Sequence, residues 1–179
     1  MISPNAKRTS AVLLSLSAIA FAGRSLYEGY TSEAVIPTKG DVPTVGLGST
    51  FRDDGSRVEL GDKITPPQAI RRAVRYGKKD EAAMHKCFGP DAMLYQWEWD
   101  AYDDIAYNVG VSRLCGSSIV GKVQRGEYEA ACNTILDFHN AAGRDCRPRN
   151  SGCYGVWTRR QDMARLCLTG EYPAWWGIN

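Results

Sequence analysis

The sequence lacks a long hydrophobic run, lacks a block of one charge sign, and has only two histidines in 179 residues. Each shortage excludes something. With 22 Lys and Arg against 20 Asp and Glu, the net charge is only +2. A nucleic-acid-binding face needs a basic stripe, so no nucleic-acid partner is expected. His85 and His139 stand far apart, and the six cysteines form no Cys-x-x-Cys. No metal site is therefore expected, and no cofactor. No internal repeat or low-complexity tract is present. What remains is ordinary, 44% hydrophobic and 23% charged, and suits a monomer of one domain or two small lobes sharing a core.

The longest uncharged stretch is Thr9–Gly23, TSAVLLSLSAIAFAG, which follows Lys7 and Arg8. A basic start followed by an apolar run is the pattern of an export signal. As a helix it would reach about 22 Å at 1.5 Å per residue. A bilayer core is about 30 Å thick. Ala, Ser and Gly dilute the run further, so its hold on a membrane should be weak. Three readings stay open. Ala20-Phe21-Ala22 suits cleavage of a signal peptide; the segment can be a permanent anchor; or it exports the chain uncleaved and later leaves the bilayer. The third has a consequence for Glu28, a few residues beyond the run. Membrane residence would hold Glu28 at the lipid surface, and release would let its site assemble. Residues 1–23 are thus expected as an N-terminal signal-anchor segment and residues 24–179 as the folded domain, first at the inner membrane and then in the periplasm.

The cysteines agree with export. Cys87, Cys115, Cys132, Cys146, Cys153 and Cys167 are even in number and scattered, as disulfides in an oxidising compartment are. Cys146 and Cys153 are close enough to pair across a loop. Cys132 with Cys167, bridging two C-terminal helices, is the next choice, and Cys87 with Cys115 would then follow by elimination; sequence alone leaves fifteen connectivities open.

The segment from 24 to 30 reads as the apolar helix continued. From Ala34 to Phe51, short β-prone pieces flank Lys39-Gly40-Asp41, and Asp54-Gly55 is a second turn. This predicts a small antiparallel sheet. Thr65-Pro66-Pro67-Gln68 is a helix start, with the helix running to about Lys86. Further helices are expected over 91–108, 117–125, 127–138 and 157–168, the last capped by Thr158. Residues 144–155 read as a polar loop. The fold class is α+β, a small sheet lobe and a larger helical C-terminal lobe. Of Trp97 and Trp99, at least one belongs to the core, and Trp175 and Trp176 are placed to cover an apolar seam. Arg144, Arg147, Arg149, Arg159 and Arg160 read as a solvated basic surface, with a face towards anionic wall polymer as the alternative.

The residues that suggest chemistry cluster after the apolar run. Glu28 ends a helix, Asp41 sits in the first hairpin turn, and Thr44 begins the returning strand ahead of Gly46 and Gly48. Glycoside hydrolysis needs an acid to protonate the leaving oxygen and a second polar or anionic group to place water or steady charge. A Glu at the end of an apolar helix is partly desolvated, which favours its protonated form. The glycines would let a sugar approach the backbone. On spacing alone, a helix-end charge, a turn former and a strand residue explain the same three positions.

Longer motifs add to this. Glu28-Gly29, a hairpin, then Thr44-Val45-Gly46-Leu47-Gly48 resembles the catalytic region of the phage-type lysozymes of glycoside hydrolase family 24. The likeness is closer still to those endolysins that carry a signal-arrest-release segment. Ala106–Gly110 resembles the exit of that family's central helix, and Trp157–Arg160 with Leu166–Gly170 resembles its last helix. The matches keep the family's order from Leu26 to Tyr172. The resemblance implies an N-acetylmuramidase acting on peptidoglycan glycan strands and lysing the host cell, tethered to the host inner membrane before release. It implies Glu28 as general acid, Asp41 as the assisting carboxylate and Thr44 as the group that helps place water. Leu47 and Asn108 are expected at the substrate, with Asn108 alternatively capping the helix exit. The gap from Asp41 to Thr44 is shorter than the family's, so Glu33 is an alternative second carboxylate. The family's usual histidine after Gly-x-Gly is replaced by Ser49-Thr50. A lytic transglycosylase and a non-catalytic wall-binding protein are the rival readings.

Overall fold

The apolar N-terminal run does not form one helix. In the computed structural model, which describes residues 6–37 and 42–176, Thr9–Ser10 is a strand (β1) and Ala11–Leu13 a 3-10 turn. Only Ala18–Glu28 is helical (α1). The reason lies in its partners. β1 pairs antiparallel with Met93–Leu94 (β4), and the Ala11 N–H donates to the Ala92 carbonyl at 2.7 Å. Polar side chains from the helical lobe then take the extended backbone. The Leu16 N–H donates to the Glu81 carboxylate, the Leu14 carbonyl meets His85 Nε2 at 2.8 Å, and Gln96 donates to the Ser15 carbonyl at 2.7 Å. Ser17 donates to Asp100 through both its N–H (2.9 Å) and its hydroxyl (2.6 Å), and the same hydroxyl accepts from the Ala20 N–H as the cap of α1. Arg8 makes a two-pronged bond to the buried Glu98, its guanidinium lying 3.6 Å from the Tyr128 ring centroid and 4.2 Å from that of Tyr95. Ala11, Leu14 and Ala20 join the main core. Among the described residues, no helix is long and apolar enough to cross a membrane.

After α1, Thr31–Val35 (β2) and Thr44–Gly46 (β3) pair antiparallel, with a register shift between Thr31 and Val35. With Val45, Val58, Ile64 and Ala69 they enclose a small core separate from the main one. Pro66–Phe88 (α2) starts at a capping box between Thr65 and Gln68 and spans both lobes. Its Ala69 belongs to the small core, and its Met84 and Phe88 to the large one. The predicted central helix begins later than expected, as Gln96–Val109 (α3), because β4 takes Met93 and Leu94. Trp99 is buried at the centre of the main core, while Trp97 stacks on Tyr95 at a centroid distance of 4.3 Å.

The C-terminal lobe continues with Val111–Cys115 (α4), which sequence reading missed, then Ser118–Gln124 (α5) and Tyr128–Asn133 (α6). Residues Thr134–Asp137 tighten to a 3-10 turn where a continuous helix was expected. The polar loop contains a two-stranded hairpin, Asn140–Ala141 (β5) and Arg144–Asp145 (β6). The last helix is Tyr154–Thr169 (α7), entered from Cys153, and Thr158 lies inside it with its hydroxyl on the Gly155 carbonyl. Trp176 packs against Gly23 and closes the seam beside α1, whereas Trp175 stays partly exposed. The three ladders and seven α-helices among the described residues make an α+β fold.

Three disulfides staple the helical lobe: Cys87–Cys115, Cys132–Cys167 and Cys146–Cys153. They close loops of 28, 35 and 7 residues. In the chain-entropy picture each of the two longer loops contributes about 3–4 kcal/mol.

One buried pair ties α1 to α3. Arg24 Nη1 stands 2.8 Å from Asp103 Oδ1, and both side chains are buried. Burial pushes the Asp103 carboxyl up to about 7, with Arg24 opposing the rise. Since this lies above the unfolded value of about 3.9, the contribution of Asp103 is fully present below pH 4 and is lost as pH rises through 7. Thermal unfolding of wild type and Asp103→Asn across pH 4–8 should show wild type losing ground to the variant as pH rises. A difference between the two that does not change with pH would contradict this.

Candidate active site

Glu28 is the last residue of α1, where the partial negative charge of the helix end opposes a carboxylate. A buried arginine answers it. Arg159 on α7 donates from Nη1 to Glu28 Oε1 at 3.1 Å, and from Nε and Nη2 to both oxygens of the buried Asp104 at 3.0 and 2.7 Å. Burial works against the Arg159 charge, but Asp104 and then Glu28 outweigh it and hold the guanidinium above its ordinary value. The Glu28 side chain is 24% exposed, so one oxygen is clamped while the group still meets solvent.

The other oxygen faces the turn after β3. Gly48 has φ +74°, and a Cβ placed there would lie 3.3 Å from Glu28 Oε2 and 3.1 Å from Tyr107 Oη. Only glycine leaves that approach open. Tyr107 donates from its hydroxyl to the Leu47 carbonyl at 3.3 Å. Burial, helped by the nearby Glu28 carboxylate, pushes the Tyr107 hydroxyl up to about 12, so it remains a donor. Gly48→Ala should therefore lower turnover at least about tenfold through strain and a blocked carboxylate. Kinetics on a soluble substrate check it, and a fully active variant would contradict the geometry.

Around Glu28 opens a cleft of about 520 Å³, a size suited to a few sugar rings or a small ligand. α1 supplies Phe21, Arg24 and Ser25, the turn supplies residues 47–51, and the exit of α3 supplies Tyr107 and Asn108. α2 forms the remaining wall, with Ala73, Tyr76, Gly77, Lys79 and Asp80. The arrangement offers an acid beside hydroxyl and backbone groups in a partly dry groove, which is what acid-assisted cleavage of a glycosidic bond requires.

The structure thus brings together Glu28, Leu47 and Asn108 in one cleft. Asn108 Oδ1 also accepts from Arg160 Nη2, so its carbonyl side is held. Thr44 stands on β3, its hydroxyl 3.5 Å from the Val35 carbonyl and outside the residues lining the cleft. Asp41 lies outside the described residues. Glu33 is exposed on β2, 3.8 Å from Lys63, beside a separate groove, so it does not face Glu28. Arg159 and Arg160 are not surface cations. They are 3% and 1% exposed, and Arg160 donates to the Phe138 carbonyl. Among the described residues, no group of His, Cys, Asp or Glu is placed to hold a metal ion. Arg159, Tyr107 and Asp80 were missed as site residues. Arg159 and Tyr107 lay inside the motifs quoted above, and nothing local marks Asp80.

Comparisons with known proteins bear on family and fold. The SAR-endolysin of Escherichia phage 933W is 34% identical over 74 residues, which is 41% of this chain but 37% of that protein. The match therefore spans little more than a third of that relative's length. The endolysin of Salmonella phage P22 is 28% identical over 118 residues, 66% of this chain and 78% of that one. In three dimensions, the endolysin from Escherichia coli O157:H7 phage FAHEc1 superposes with a TM-score of 0.75 at 25% identity, covering 89% of this chain and 97% of that one. The phage lysozyme family profile matches residues 25–162, from the last turn of α1 to the middle of α7, and the chain belongs to that family.

Proposed function

We propose that this chain is an endolysin that hydrolyses the β-1,4 bond between N-acetylmuramic acid and N-acetylglucosamine in bacterial peptidoglycan. The observation that carries the reading is Glu28. One oxygen is tethered by Arg159 and the other is open to the cleft beside Gly48 and Tyr107. Glu28 protonates the glycosidic oxygen as the C1–O bond breaks. Water then adds to C1 and the proton it loses returns through solvent to Glu28, restoring the acid and leaving a reducing end. The carboxylate assigned to assist that water is Asp41; Thr44, outside the cleft lining, is assigned no contact with it. Membership of the phage lysozyme family and the endolysin relatives support the assignment. No cofactor takes part.

Mass spectrometry of digested wall tests the reaction. Reducing muramic acid ends are expected. Anhydro ends would identify a lytic transglycosylase, and binding without soluble fragments would identify a wall-binding protein.

Residues 1–23 serve in this reading as a signal anchor that exports the chain, holds it at the inner membrane, and then folds into the domain of residues 24–179. The SAR-endolysin relatives support this, as do the short apolar run and its partners in the folded form. Cell fractionation should find full-length protein first with membrane and later in the periplasm. A product shortened by about 22 residues would show signal cleavage instead.

A further inference from the structure

The α2 wall of the cleft holds a group that the proposed chemistry leaves unused. Asp80 is half-buried, lines the same cleft as Glu28, and makes no hydrogen bond or ion pair among the described residues. A carboxylate in a groove without a partner is an open acceptor, able to take O–H or N–H donors. Its approach is unobstructed. Gly77 lies one turn before it, and Ala73 one turn before that, so a single face of α2 presents a low floor that ends in the carboxylate. Packing does not explain Gly77. A Cβ added there would meet nothing within 4 Å, and glycine in a helix interior is unfavourable relative to alanine.

We propose that Asp80 is a substrate-binding residue, accepting hydrogen bonds from the hydroxyl or N-acetyl N–H groups of a sugar ring lying over Gly77. The inference rests on the glycan-cleaving reading above. Burial raises the Asp80 carboxyl above the usual carboxylate range, while Lys79 and Arg24 favour its charged form, so ligand donors would meet a poorly solvated anion. Asp80 is assigned recognition and not proton transfer.

The test uses the full chain on soluble, uncrosslinked glycan strands, with reducing ends counted. Wild-type turnover must be seen first; its absence would defeat the underlying reading and not this one. Given turnover, Asp80→Asn should raise KM about tenfold and leave kcat within about twofold, because the amide keeps the shape but loses the charge. Gly77→Ala should raise the thermal midpoint, since it adds a methyl where the protein has room, and should also raise KM. A purely structural floor would give the first effect without the second. Unchanged KM in both variants would overturn the proposal, as would a loss confined to kcat in Asp80→Asn.

Discussion

Glu28→Gln is expected to lower the release of wall fragments by about 10²–10⁴-fold while leaving the fold intact. The substitution removes the transferable proton and little else. The glutamine carbonyl oxygen can still accept from Arg159 Nη1, as Glu28 Oε1 does at 3.1 Å. Arg159 keeps its two bonds to Asp104, so the buried guanidinium does not lose its charge partner. Thermal unfolding should accordingly be nearly unchanged, which separates a chemical defect from a folding one. Glu28→Asp is a useful companion. It keeps the acid but withdraws it by one methylene from the gap beside Gly48, and a displacement of about 1 Å costs on the order of 10²-fold. Clearing of cell-wall suspensions at the wild-type rate by Glu28→Gln would remove the basis of the proposed mechanism.

Arg159→Met is expected to destabilise the fold by about 3–5 kcal/mol, read as a lower urea midpoint. The residue is 3% exposed and joins three elements, since α7 carries it, α3 carries Asp104 and α1 carries Glu28. Removing it strands Asp104, whose side chain is also 3% exposed, as a buried charge without its partner. Most of the cost should be this stranded carboxylate. The double variant Arg159→Met with Asp104→Asn should therefore recover part of the loss. The single variant should also lose activity, because Glu28 loses its tether. A cost below about 1 kcal/mol would mean that the pair is solvated and that the clamp on Glu28 is not structural.

What could be read before the structure follows local rules. The start of α2 was legible because Thr65, two prolines and Gln68 form a capping box using neighbours only. Gly126, with φ +75°, marks the end of α5 in the same way. Of the fifteen connectivities that six cysteines allow, only Cys146–Cys153, seven residues apart, was favoured by a short loop; the structure has that pair and also Cys132–Cys167 and Cys87–Cys115, which tertiary packing decided. Glu28 stood out for its place a few residues beyond the uncharged run, and the downstream motifs gave it a family context.

Local rules failed where a distant partner decided the outcome. The N-terminal run has helical and apolar composition, yet its first half is extended, because Ala92, Glu81, His85, Gln96 and Asp100 take its backbone groups from 65 to 83 residues away. Arg159 and Arg160 looked like surface charge because charge alone suggests solvent, and only the packing of α7 on α3 buries them beside acceptors. Composition, caps and cysteine spacing thus determined the class of fold, most helix positions and the acid to examine. Tertiary structure alone decided that Ala11, Leu14 and Ala20 of the apolar N-terminal run join the main core, that an arginine 131 residues away holds Glu28, and that α2 brings Asp80 to the same cleft. Helix starts are settled within a few residues, whereas the burial and pairing of a charge depend on side chains far along the chain.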